Sequence, residues 1–166
     1  MLKIFSGILF LITSTLFGFY KAENLRKRKL FWEDFVKFLA LLKVKLRYVG
    51  SDITELVIDC SNFENMYFFK EEFSADNQNS PLMRWELASE KTKKEFNLKT
   101  ESYNAIYNFG LNLGATDMIG QIEHIELYEV IANKELSEEE KNYNTNKKLY
   151  RMLGFFAGTV IAILII

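Results

Sequence analysis

IFSGILFLITSTLFGFY, residues Ile4–Tyr20, is a 17-residue stretch without a charge. As a helix rising about 1.5 Å per residue it is roughly 25 Å long, slightly short of a hydrocarbon core of about 30 Å. Lys3 and Lys21 flank it and can snorkel to make up the difference. A cleaved secretory signal is the competing reading. No small-x-small cleavage site follows the run, which ends instead in Phe17, Phe19 and Tyr20. Aromatic rings at that level suit a membrane interface, so residues 1–20 read as an uncleaved transmembrane helix.

MLGFFAGTVIAILII, residues 152–166, is a second uncharged run, which Leu149 and Tyr150 can extend while Arg151 reaches outward. The chain has 21 Lys and Arg against 22 Asp and Glu, and all of them except Lys3 fall between residues 21 and 151. Positive charge crowds the inner edges of both runs: Lys21, Arg26, Lys27, Arg28, Lys29 and Lys37 on one side, and Lys134, Lys141, Lys147, Lys148 and Arg151 on the other. By the positive-inside rule the middle is cytoplasmic and both ends lie across the membrane. The expected layout is a two-pass cell-membrane protein with spans at 1–20 and 152–166 and a cytoplasmic domain at 21–151.

That middle segment is long enough to bury a core without disulfides or metal. With 15 Phe, eight Tyr and two Trp in the chain it is not a solvated tail. One proline, few glycines and many Leu, Lys and Glu, with no sustained alternation, predict an all-α domain: a cytoplasmic bundle of about six helices between the two transmembrane helices. Phe31, Phe35, Phe38, Leu42, Leu46 and Val49 recur at three- and four-residue steps and predict a first helix over about Asn24–Val49, ended by Gly50. Asp52 and Glu55 have capping-box spacing for a short helix over 52–60. Phe63 to Phe73 suggests a short aromatic helix, and Ala75 to Ser80 a solvated loop. Ser80–Pro81 starts a helix to about Glu95, with Leu82, Trp85 and Ala88 inward. Thr100 opens another that stops near Gly110 or Gly114. Thr116 is expected to cap the next, to about Asn133, and Ser137 with Glu140 to cap the last, which has no break before the second span.

There is no phosphate-binding G-x-x-x-x-G-K-[ST], no H-E-x-x-H and no serine nucleophile elbow. One Cys and one His leave no zinc cluster and no disulfide, and Cys60 reads as a small buried side chain. No cofactor and no catalytic residue is expected, and a net charge of −1 gives no reason to expect nucleic acid. The run Arg26–Lys29 sits where a topology anchor touching anionic headgroups belongs, and Glu138–Glu140 where solvated carboxylates start a helix. Asp117, Gln121, His124 and Tyr128 fall within about 60° of arc on one helix face. Such a stripe can grip a protein partner or hold a metal weakly, or it is a solvated, capping face with Asp117 at the helix start. Gly154-x-x-x-Gly158, with a weaker Ser14-x-x-x-Gly18 in the first span, marks faces where two helices can approach closely.

FGLNLGATDMIGQIEHIEL, Phe109–Leu127, resembles the L-G-x-x-L-G-x-S-D-x-x-x-Q-x-x-x-I segment of the stage III sporulation protein AB family. STLFGFYKA (Ser14–Ala22) and KKLYRMLGFFAG (Lys147–Gly158) are similar to the phrases that close the first span and open the second in that family. Phe109 stands where leucine is usual, and Thr116 where serine is usual. The resemblance implies a non-enzymatic component of the membrane complex linking mother cell and forespore. Its middle domain would be similar to the platform protein of type II secretion and type IV pilus machines, on the mother-cell side of the outer forespore membrane. Its implied partners are the lipid bilayer, the ATPase of the sporulation channel and other membrane subunits, with a homo-oligomer left open. Asp117 and Gln121 match the acid and amide of the motif, and His124 has no counterpart. A membrane-anchored enzyme assembled from side chains distant in sequence, or a generic bilayer-tethered adaptor, is the alternative. Titratable groups clustered in a pocket would favour the enzyme, and an exposed patch without a pocket would favour the platform.

Overall fold

The computed structural model describes residues 2–48, 52–75 and 78–165. All regular structure among them is helical: α1 Leu2–Tyr48, α2 Ile53–Cys60, α3 Tyr67–Ser74, α4 Pro81–Glu95, α5 Thr100–Leu111 and α6 Met118–Ile165, with a 3-10 turn at Glu64–Met66. The chain divides into two compact units. One is Leu30–Ser137; the other combines residues 1–29 with 138–166.

The start signals of the short helices act as their chemistry requires. The Asp52 carboxylate accepts from Thr54 N at 3.1 Å ahead of α2, and Ser80 Oγ accepts from Met83 N at 3.3 Å with Pro81 in the first turn of α4. Each supplies an acceptor to an amide that has no partner inside its helix. α4 closes through Leu98 N donating to Lys93 O at 3.0 Å, with Asn97 at a φ of 49°. The sequence reading passed over this left-handed residue, although Asn tolerates the conformation better than most.

The helical expectation holds, but the element boundaries differ in informative ways. The first span and the Asn24 helix are one unbroken rod, α1. No glycine or proline stands between Tyr20 and Phe31, so nothing interrupts the backbone ladder. Likewise the Thr116 helix, the Ser137 helix and the second span form the single rod α6, and Ser137 and Glu140 lie in its interior rather than at a cap. Glu139, expected in solvent, is 1% exposed, 3.9 Å from Arg28. The residue that caps α6 is Asp117, whose Oδ1 accepts from Gly120 N at 3.0 Å, and not Thr116. α5 ends at Leu111, so Gly110 is inside the helix and not in the turn. Leu82 is 45% exposed instead of inward, because the buried stripe of α4 runs through Trp85, Ala88, Ser89 and Thr92. The expected stop at Val49–Ser51 and the loop residues Asp76 and Asn77 lie outside the described residues.

In the unit Leu30–Ser137 the α1 stripe of Phe31, Phe35, Phe38, Leu42 and Leu46 is buried as read. Trp85 of α4 is set among Phe38, Phe69, Phe73 and Phe109 at ring separations of 6.0, 4.5, 6.4 and 5.3 Å. Its Nε1–H donates to the Ile106 carbonyl at 2.9 Å, so the indole is buried with its one polar atom satisfied. Gly110 makes this possible: a Cβ there would lie 2.0–2.3 Å from the Trp85 ring. Asp34, on the same rod, accepts from Asn65 N at 3.2 Å, Asn65 Nδ2 at 2.7 Å and Lys37 Nζ at 2.9 Å. Burial alone would raise its pKa; the bonds from Lys37 and Asn65 outweigh burial and hold it below the ordinary carboxylate value.

In the other unit the two terminal legs pack backbone against backbone. A Cβ on Gly18 would lie 2.6 Å from Tyr150 O and 3.0 Å from Gly154 Cα; one on Gly158 would lie 3.0 Å from Leu11 Cα. Ser14 Oγ donates to Gly154 O at 2.7 Å. The outward faces carry Phe5, Leu9, Leu16, Leu153, Phe156 and Ile163, each at least half exposed. By length and composition α1 is the one described helix apolar enough over a long enough window to cross a membrane.

Candidate functional site

The stretch that carried the family resemblance forms the α5–α6 turn. α5 closes with Asn112, Gly114 follows at a φ of +84°, and Asp117 starts α6. A glycine occupies that left-handed position without the steric cost a Cβ would bring. Gln121, one turn into α6, reaches back over the loop. Its Oε1 accepts from Gly114 N at 2.9 Å, and its Nε2 donates to Asn112 O at 3.1 Å and to Thr116 Oγ1 at 2.9 Å. Both amide donors and the amide acceptor are therefore engaged, and the residue is 3% exposed. Thr116 contributes its hydroxyl to this clasp, not to the helix cap.

This geometry corrects the reading of the Asp117, Gln121 and His124 stripe as an outward grip. Gln121 is a structural staple. His124 Nε2 lies 2.9 Å from the Phe109 carbonyl, and its ring stacks on Phe109 at 5.2 Å and 6° and touches Tyr128 at 4.8 Å. Burial raises the pKa of the Tyr128 hydroxyl. Only Asp117 of the three is exposed, and its carboxylate is committed to the Gly120 amide. The stripe lies on the same side of α6 as Ile125 and Ala132, which are 0% and 1% exposed.

The chain belongs to the stage III sporulation protein AB family. A family model of that description matches residues 3–166, and the clasp just described lies within it. Stage III sporulation protein AB of Bacillus subtilis (strain 168) is 31% identical over 81 residues, which is 49% of this chain and 47% of that protein. The match thus spans about half the length of the curated relative. No solved structure matches.

Gly18 lies against Gly154, with Ser14 and Leu11 against Gly154 and Gly158. The charge runs are partly consumed inside the protein. Arg26 pairs with Glu23 at 2.7 Å, and Lys29 lies 3.9 Å from Glu140. Cys60 is fully buried, and burial pushes its thiol up to about 11, so it is a poor nucleophile. Among the described residues no group of three His, Cys, Asp or Glu is placed to hold a metal ion. A cavity of about 570 Å³ is lined by Glu90, Lys93, Lys94, Asn97, Leu98 and Tyr103. Lys93 Nζ stands 4.4 Å over the Tyr103 ring there. What the sequence reading missed is the opposite, outward side of α6, where Ile119, Leu127 and Val130 are 68%, 58% and 70% exposed.

Proposed function

We propose that this chain is a two-pass, non-catalytic membrane platform subunit of the sporulation complex between mother cell and forespore. In this reading both legs cross the bilayer, the helical unit faces the cytoplasm, and its surface docks the channel ATPase and neighbouring membrane subunits. The observation that carries the reading is the paired legs. They meet through Gly18, Gly154 and Gly158 at backbone distance and turn apolar side chains outward on both helices. Close backbone packing with an apolar exterior is the arrangement that lipid favours, since the bilayer offers no hydrophobic drive to hold two helices together. Family membership supports a part in sporulation. A platform role without chemistry is supported by the buried thiol and by the commitment of Gln121 and His124 to internal contacts.

Topology is tested by single cysteines in a Cys60→Ala background. Those placed beside Met1 and Ile166 should react with an impermeant thiol reagent on intact cells, and one at the exposed Glu101 should not. Labelling at Glu101 alone would reverse the orientation and refute the reading. Partner docking is tested by isolating the full chain in detergent from sporulating cells. The ATPase should be retained, and its absence from every preparation would refute the platform role.

A further inference from the structure

The outward side of α6 carries a surface that the packing of the domain does not use. At 100° per residue, Ile119, Glu123, Glu126, Leu127 and Val130 span roughly 100° of arc. The three aliphatic residues are each more than half exposed, and Met118 at the start of the helix is 48% exposed. The three aliphatic residues lie on one face of the helix, with Glu123 between Ile119 and Leu127. Two carboxylates are set into it. Glu126 is met at 3.8 Å by Lys43 of α1, which also pairs with Glu129. Among the described residues no cation is within salt-bridge reach of Glu123. Beside Glu123 and Leu127 a cavity of about 340 Å³ opens between the α5–α6 turn and the helix, lined also by Asn112, Thr116, Gly120 and His124. Gln121 ties Thr116 and Asn112, which line that cavity, to α6.

We propose that this face of α6 docks a cationic amphipathic helix of a partner protein. The partner's aliphatic side chains would cover Ile119, Leu127 and Val130, and a Lys or Arg would lay its stem on Leu127 and bring its charge to Glu123 at the cavity mouth. Helix-in-groove recognition uses this combination of spaced apolar anchors and a charged flank. The carboxylates decide against other occupants. An anionic lipid surface would be repelled by Glu123 and Glu126. A second copy tethered in the same membrane would run its α6 in the same direction and set Glu123 against Glu123, a like-charge contact. The inference rests on the docking reading above and gives it a place and a chemistry.

The test is site-specific photocrosslinking of the full-length chain in sporulating cells. A benzophenone amino acid is placed singly at Ile119, Leu127 and Val130, and at Glu86 and Tyr103 for comparison. The expected result is crosslinking from the three α6 positions to one peptide of another protein. That peptide should have aliphatic residues at helical spacing and at least two Lys or Arg. Glu123→Lys should cut the product about tenfold, as reversal of an interface charge does, while Glu123→Asp retains it and both variants melt like the parent. Crosslinks to a second copy of this chain, to lipid, or to an acidic peptide would overturn the proposal. Products from Glu86 or Tyr103 with none from α6 would overturn this face while leaving the docking reading intact. Products from none of the five positions would overturn this face, while retention of the ATPase in the detergent preparation decides the docking reading separately.

Discussion

Gln121→Ala is the most direct challenge to the description of the α5–α6 turn. The substitution removes one acceptor and two donors at once, leaving Gly114 N, Asn112 O and Thr116 Oγ1 without their side-chain partner. Asn112, Gly114 and Thr116 are themselves exposed, so water can reach these groups after the amide is gone. Each lost bond then costs about 0.5–1.5 kcal/mol net, not the full penalty of a stranded buried group. Three such bonds give about 2–4 kcal/mol. For a chain of this length each kcal/mol lowers the melting temperature by roughly 2–4 °C, so a fall of about 4–16 °C is expected. Trp32 and Trp85 are both buried in the unit that contains the turn, which makes tryptophan fluorescence of the detergent-solubilised full chain a suitable assay. Gln121→Glu separates the roles of the amide. A carboxylate still accepts from Gly114 N but faces the Asn112 carbonyl with a lone pair, and protonation restores a donor. Its deficit relative to the parent should therefore be larger at pH 7 than at pH 4. A fall below 1 °C for the alanine variant would refute the staple, and a pH-independent deficit for the glutamate variant would refute the assigned amide orientation.

Gly110→Ala places a methyl group 2.0–2.3 Å from the Trp85 ring, so the helices must separate; a loss of about 3 kcal/mol is expected in chemical denaturation, partly recovered in Gly110→Ala/Trp85→Leu. Gly114→Val, at a φ of +84°, should cost about 1–2 kcal/mol from the left-handed backbone, read as a lower melting temperature of the detergent-solubilised chain; an unchanged melting temperature would contradict this. Asp34 has a folded pKa below its ordinary value, so its contribution is present above about pH 4 and is lost as pH falls through the folded pKa. Asp34→Asn should accordingly destabilise by about 1 kcal/mol at pH 7, with the difference from the parent shrinking in melts taken below pH 4.

Helix content, the aromatic stripe of α1 and the caps at Asp52 and Ser80 were all legible in the sequence, because each depends on side chains within a few residues of one another. The errors share a different cause. Ser137 and Glu140 have the spacing of a capping box, but a cap exists only where a helix begins, and no breaker stands upstream of Ser137 to end α6. Gly110 and Gly114 look alike as letters. One is a packing site for an indole 25 residues earlier, and the other is a backbone conformation. The Asp117, Gln121 and His124 stripe could be offered as an outward face of α6 because aliphatic residues occur on both sides: Ile122 and Ile125 on one, Ile119, Leu127 and Val130 on the other. Periodicity cannot rank two apolar faces of one helix. Phe109, Tyr128 and the loop carbonyls rank them, since they give His124 and Gln121 partners on one side only. Composition and local spacing thus determined which segments are helical and the caps at Asp52 and Ser80. The tertiary structure decided which face each helix buries and which residues remain for a partner, because burial depends on neighbours that the chain supplies from far along its length.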